Sequence, residues 1–186
     1  MSAFQSTQLS QNNSRSAAAA CTPQRPLAEG GQKITLRRIT ARTVADICDL
    51  SETLTTEQRA MVADNAISIA DAHFSESAWF RAIYVGEDPA GFIMLHNGYD
   101  YEDGLECHGV FLWRLMVAGP YQGSGVGRGA IEMIVESLKA RGISELYAGC
   151  GQGPSSPAPF YEKLGFVPTG VFYGDDDDEI EIVLRW

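Results

Sequence analysis

Between Trp113 and Gly127 the chain reads Trp-Arg-Leu-Met-Val-Ala-Gly-Pro-Tyr-Gln-Gly-Ser-Gly-Val-Gly, an apolar strand running into a glycine-rich turn before an amphipathic segment. Gly123, Gly125 and Gly127 lack a Cβ, so consecutive backbone N–H groups can turn toward one point at the positive end of a helix dipole. Such a concavity suits a phosphate or pyrophosphate group. Three glycine-rich phosphate motifs compete for this stretch, and spacing separates them. The nucleotide P-loop requires Gly-Lys-Ser/Thr after its glycines, and none follows here. Gly125-Val126-Gly127-Arg128-Gly129-Ala130 matches the loose dinucleotide fingerprint, but that fold wants an acid ending the next strand to hold a ribose. The next strand, near Glu145, ends in Ala148-Gly149-Cys150-Gly151.

The third motif fits better: Gln/Arg, two residues, Gly, one residue, Gly/Ala, present as Gln122-Gly123-Ser124-Gly125-Val126-Gly127. Here the chain resembles the GNAT superfamily of acyl-CoA-dependent N-acetyltransferases. Pro159-Phe160-Tyr161-Glu162-Lys163-Leu164-Gly165-Phe166 resembles that family's helix-to-strand segment. The resemblance implies that residues Gln122, Gly123, Ser124, Gly125, Val126, Gly127 and Arg128 bind the pyrophosphate of acetyl-CoA. It also implies that Leu115, Met116 and Val117 hold the pantetheine arm through backbone groups, beside a bulge that splays the strand from its neighbour. Tyr161 matches the family tyrosine that donates a hydrogen bond or proton to the departing sulfur. A phenol has a pKa of about 10 and a thiol about 8.5, so stabilising the thiolate is easier than full proton transfer. The competing assignment for Tyr161 is an aromatic anchor beside Phe160. Pro154 stands where the family often has Asn, which leaves the pantetheine contacts of that segment open.

Leu36-Arg37-Arg38-Ile39, the stretch from Val62 to Ala70, Phe111-Leu112-Trp113-Arg114 and the stretch from Leu164 to Gly170 are similar to bacterial diamine and spermidine/spermine acetyltransferases. The acceptor implied is a small cationic amine, with Asp71, Asp100 and Glu102 as ammonium ligands and Trp113 as a pocket wall. Taken singly, each acid reads first as a solvated surface group, and Trp113 first as core. Other acceptors, such as an antibiotic, an amino acid or a protein amine, share the chemistry. A non-catalytic acyl-CoA-binding regulatory module is the alternative of another class.

Net charge is −10 over 186 residues, and the basic balance before Ile34 leaves the remainder near −12. An acidic surface repels nucleic acid and suits a basic acceptor. Cys21, Cys48, Cys107 and Cys150 form no CxxC pair, and the three histidines are scattered, so reduced thiols, no metal and a cytoplasmic setting are expected. The run Asp175 to Asp178 reads as a solvated turn rather than a metal site. No stretch reaches the roughly 20 apolar residues of a membrane span. Residues 1–31, rich in Ser, Gln, Asn and Ala, are expected to be a disordered tail, and 32–186 one domain.

To position these residues, periodicity predicts a strand over 34–39 and helices over 42–50, 56–62 and 66–74. The last is capped by Asn65 and buries Ile67, Ala70 and Phe74. A hairpin follows over 79–95, then an acidic loop from Tyr99, a strand over 110–117 and a helix over 125–140. A strand from Glu145, a helix over 158–164 and a final strand pair complete the order. That pattern predicts a mixed α/β fold, a GNAT-like central mixed β-sheet flanked by helices. The resemblance also makes a homodimer through the final strands an expectation, one that no residue of the sequence signals by itself.

Overall fold

The computed structural model describes residues 33–98, 109–174 and 178–186. The expected tail, the loop carrying Asp100 and Glu102, and Asp175–Asp177 lie outside them. Seven strands, β1 (Ile34–Arg37), β2 (Ala78–Val85), β3 (Asp88–Asn97), β4 (Val110–Val117), β5 (Glu145–Gly151), β6 (Val167–Tyr173) and β7 (Glu179–Arg185), form one sheet in the order β1-β2-β3-β4-β5-β7-β6. All neighbours are antiparallel except β4 and β5, which are joined by a crossover through helix α4 (Val126–Ala140) and run parallel. The mixed sheet is therefore the predicted one.

Side-chain alternation along the strands divides the core in two. Ile83, Val85, Ile93 and Leu95 face α4 and α5 (Ala158–Leu164), whereas Ala82, Tyr84, Phe92 and Met94 face α1 (Val44–Asp49) and α3 (Asn65–Phe74). On α4 the buried residues Ala130, Ile131, Ile134 and Leu138 recur at helical spacing, and Gly142, with φ 76°, ends the helix.

The helix over 56–62 shortens to α2 (Thr56–Arg59), held at its start by a reciprocal capping box between Thr55 and Gln58. On α3 the expected apolar face is turned outward. Ile67 is 57% exposed and Phe74 79%, while Asn65, Ser68 and Ala72 are buried. Asn65 does not cap α3. Asp64 precedes the helix, and the buried Asn65 donates its amide to the Ile47 carbonyl at 2.7 Å while its N–H meets the Ser51 hydroxyl at 2.9 Å. The side chain is spent on tying α3 to α1, because buried polar groups need partners.

Candidate active site

Two local irregularities in β4 open the sheet. Along β3, Leu95 pairs with Leu112 and Met94 with Arg114, so Trp113 is an extra residue in a bulge. On the other side β4 registers with β5 at only two positions, Phe111 with Tyr147 and Leu112 with Ala148. Beyond Leu112 the strands diverge around a cleft of about 900 Å³. Residues 113–117 therefore present backbone to the cleft that a continuous ladder would have consumed. The side chains of Leu115 and Val117 pack into the α4/α5 core and Met116 is buried, so these residues offer peptide groups rather than side chains.

At one end of the cleft lies the glycine-rich turn. Gly123 and Gly125 have φ of 71° and 87°, a left-handed conformation that a Cβ would strain. The amides of residues 123–128 donate to no carbonyl among the described residues; the first bond into the helix is from Gly129 to Gly125. Free N–H groups thus converge at the positive end of a four-turn helix. Gly127 is small for packing reasons, since a Cβ there would lie 3.1 Å from the Phe160 ring. Several side chains of this loop have other tasks. Gln122 bonds the Val117 carbonyl and Gln58, Ser124 bonds the Tyr121 carbonyl, and Arg128 reaches the Lys163 carbonyl at 3.2 Å. What the loop presents is backbone.

At the splay point the cleft is lined by Trp113, Arg114, Gly149, Tyr161 and Glu179. Tyr161 sits edge-on between Phe160 and Phe166, with ring centroids 5.1 and 5.2 Å away, and its hydroxyl has no hydrogen-bond partner among the described residues. Burial pushes that hydroxyl well above a phenol's usual pKa, and Cys150 and Glu179 add to the shift. The half-buried Glu179 carboxylate covers Gly149 so closely that a Cβ there would overlap it. Burial raises the Glu179 pKa; Arg114 opposes the shift and Asp178 adds to it.

The sequence model of the acetyltransferase (GNAT) family matches residues 44–166, two thirds of the chain and both glycine-rich and aromatic segments. The chain belongs to the GNAT acetyltransferase family. Its fold is shared by an acetyltransferase from Thermus thermophilus (20% identity, TM-score 0.66, 84% of this chain and 99% of that one). A GNAT family acetyltransferase from Elizabethkingia anophelis with acetyl-CoA bound aligns at 16% identity and TM-score 0.59, over 82% and 98% of the two chains. The ribosomal-protein-S18-alanine N-acetyltransferase from Escherichia coli aligns at 15% and 0.57, over 82% and 94%.

Within this GNAT acyltransferase, the positions singled out in the sequence fall into three groups. Residues 115–117, 122, 123, 125–128 and Tyr161 converge on one cleft, whereas Ser124 is not part of its lining. Trp113 lines it too, while also packing on the α1/α3 side against His96, 5.8 Å away. Asp71 does not line it; on α3 it acts electrostatically on Arg114. Simple strand alternation would send Trp113 and Arg114 to opposite faces, but the bulge cancels it, and the Arg114 guanidinium lies 5.5 Å from the Trp113 ring. Sequence reasoning missed Glu179, which hides beside the run Asp175 to Asp178. Its signal was an acid alternating with isoleucine, Glu179-Ile180-Glu181-Ile182, a strand pattern with carboxylates on one face. Gln58, Arg59 and Met61 also line the cleft from the α2 segment, which carried no motif.

Proposed function

We propose that this GNAT acetyltransferase uses acetyl-CoA to acetylate a primary amine of a small molecule. The observation that carries this reading is one cleft joining free amides at the α4 N-terminus to Tyr161 and Glu179 at the splay point. The loop amides suit the pyrophosphate, and the open edge of residues 113–117 suits the amide-bearing pantetheine arm. With the cosubstrate held this way, its thioester would lie near Trp113 and Arg114.

The amine must be neutral to attack. Glu179, with its pKa raised, accepts the ammonium proton at neutral pH more readily than a solvated carboxylate would. As the nitrogen bonds to the carbonyl carbon and the carbon–sulfur bond breaks, charge develops on sulfur, and the second proton that the nitrogen sheds passes to the departing thiolate. Tyr161 supplies a hydroxyl held protonated by its burial, so it acts as a hydrogen-bond donor to the thiolate rather than surrendering its proton. A diamine or polyamine acceptor, the narrower expectation, is supported by Asp178 and Glu179 at the cleft; Arg114, a cation in the same wall, favours a different amine.

The test is acetyl-CoA-dependent thiol release with spermidine, spermine, short diamines, aminoglycosides, amino acids and basic peptides. Turnover of at least one amine, reduced in Tyr161→Phe, is expected. Saturable acetyl-CoA binding with no turnover on any amine would instead leave a regulatory acyl-CoA-binding module.

A further inference from the structure

Arg114 is a half-buried guanidinium with donors unspent among the described residues. Its one hydrogen bond among the described residues runs from Nη1 to the Trp113 carbonyl at 2.9 Å, and its buried Nε has no partner. Asp71 and Glu179 both act on it electrostatically, yet neither comes within ion-pair distance. A charge held this way out of water is costly unless something pairs with it. The planar fork of a guanidinium matches a carboxylate in two parallel bonds.

The cosubstrate's phosphates do not explain this residue. The amides of residues 123–128 lie past the end of β4. At about 3.3 Å per strand residue, Arg114 is roughly 10 Å before Val117, and the turn of Gly119–Tyr121 adds further separation. Arg114 belongs to the opposite end of the cleft, with Trp113 and Glu179. Across that end, a cation whose donors are unspent among the described residues lines the same wall as a carboxylate it does not touch.

We infer, resting on the acetyltransferase reading above, that Arg114 holds a carboxylate of the acceptor while Glu179 faces its amine, so that the acceptor is a small amino acid rather than a polycation. Only an acceptor with both groups close together satisfies the two side chains at once. The bulge is what makes this arrangement available. Without the extra residue, Trp113 and Arg114 would point to opposite faces of the sheet, and the guanidinium would not share a wall with the indole.

The experiment is calorimetric binding of matched pairs to the full chain in the presence of coenzyme A: common amino acids against their decarboxylated amines, such as lysine against cadaverine, with spermidine alongside. Turnover of each pair is measured in parallel. At least one amino acid should bind tenfold or more tightly than its decarboxylated partner, the preference disappearing in Arg114→Gln and partly returning in Arg114→Lys. Acceptor KM should rise in Arg114→Gln with the KM for acetyl-CoA unchanged, a split that general loss of folding would not give. Tighter binding of cadaverine or spermidine, equal preference in wild type and Arg114→Gln, or no binding of either member of any pair would overturn the inference. Carboxylate-dependent binding with no acetylation would uphold the role of Arg114 while sinking the acetyltransferase reading.

Discussion

The two neighbours of β4 treat it differently. Against β3 it is registered over its whole length, from Val110 opposite Asn97 to Val117 opposite Gly91, with a single bulge. Against β5 it pairs at two positions and then departs. One flank is closed and the other is left open, although both are made from the same eight residues. Stability on the closed side comes from buried side chains, while capability on the open side comes from peptide groups left unpaired.

This contrast can be broken most strongly on the closed side. Ile93→Ala, at a fully buried position shared by β3 and the α4/α5 core, should cost about 2–5 kcal/mol in denaturant unfolding. Leu115→Ala, half-buried on the open side, should cost clearly less.

Glu179→Gln should lower kcat by about 100-fold or more, since removal of a positioned base typically costs that much. The same variant should gain stability. The folded-state pKa of Glu179 lies above its unfolded value, so its contribution to stability is fully present below the ordinary carboxylate range and is lost as pH rises through the folded value. Thermal unfolding at pH 7 should therefore show a higher melting temperature for Glu179→Gln than for wild type, and the gain should vanish near pH 4. In wild type, the acidic limb of kcat/KM should lie above the usual glutamate value.

Tyr161→Phe should lower kcat by about 10- to 100-fold, the worth of one hydrogen bond to a charged group. Circular dichroism should be unchanged, because the ring contacts with Phe160 and Phe166 are kept. Gly125→Ala tests the loop itself. At φ 87° an alanine is strained by about 1–2 kcal/mol, which should appear as a several-fold rise in the KM for acetyl-CoA with kcat nearly intact.

Much of this division was legible in the sequence because it rests on local signals. Glycines that require positive φ, a four-turn apolar stripe on α4 and the Phe160–Phe166 segment announce themselves within a few residues. The α3 face did not, because its inward side is polar. Asn65 and Ser68 are buried where the pattern offered Ile67 and Phe74, so burial there follows the neighbouring α1 segment rather than hydrophobicity. Glu179 and Arg114 were similarly hidden. Their partnership joins two strands more than sixty residues apart, and a bulge shifts one of them off the strand's alternation. No window of sequence contains that information.

The short α2 helix is fastened to the glycine-rich loop through neutral amides: Gln58 donates to Gln122 at 2.8 Å, and Gln122 passes the connection to the Val117 carbonyl at 3.0 Å. Its other end leans on the exposed ion pair of Arg59 and Asp64. Salt screens the ion pair and leaves the amide chain untouched. Raising ionic strength should therefore weaken the tie between α2 and α3 while the amide link from α2 to the glycine-rich loop is kept.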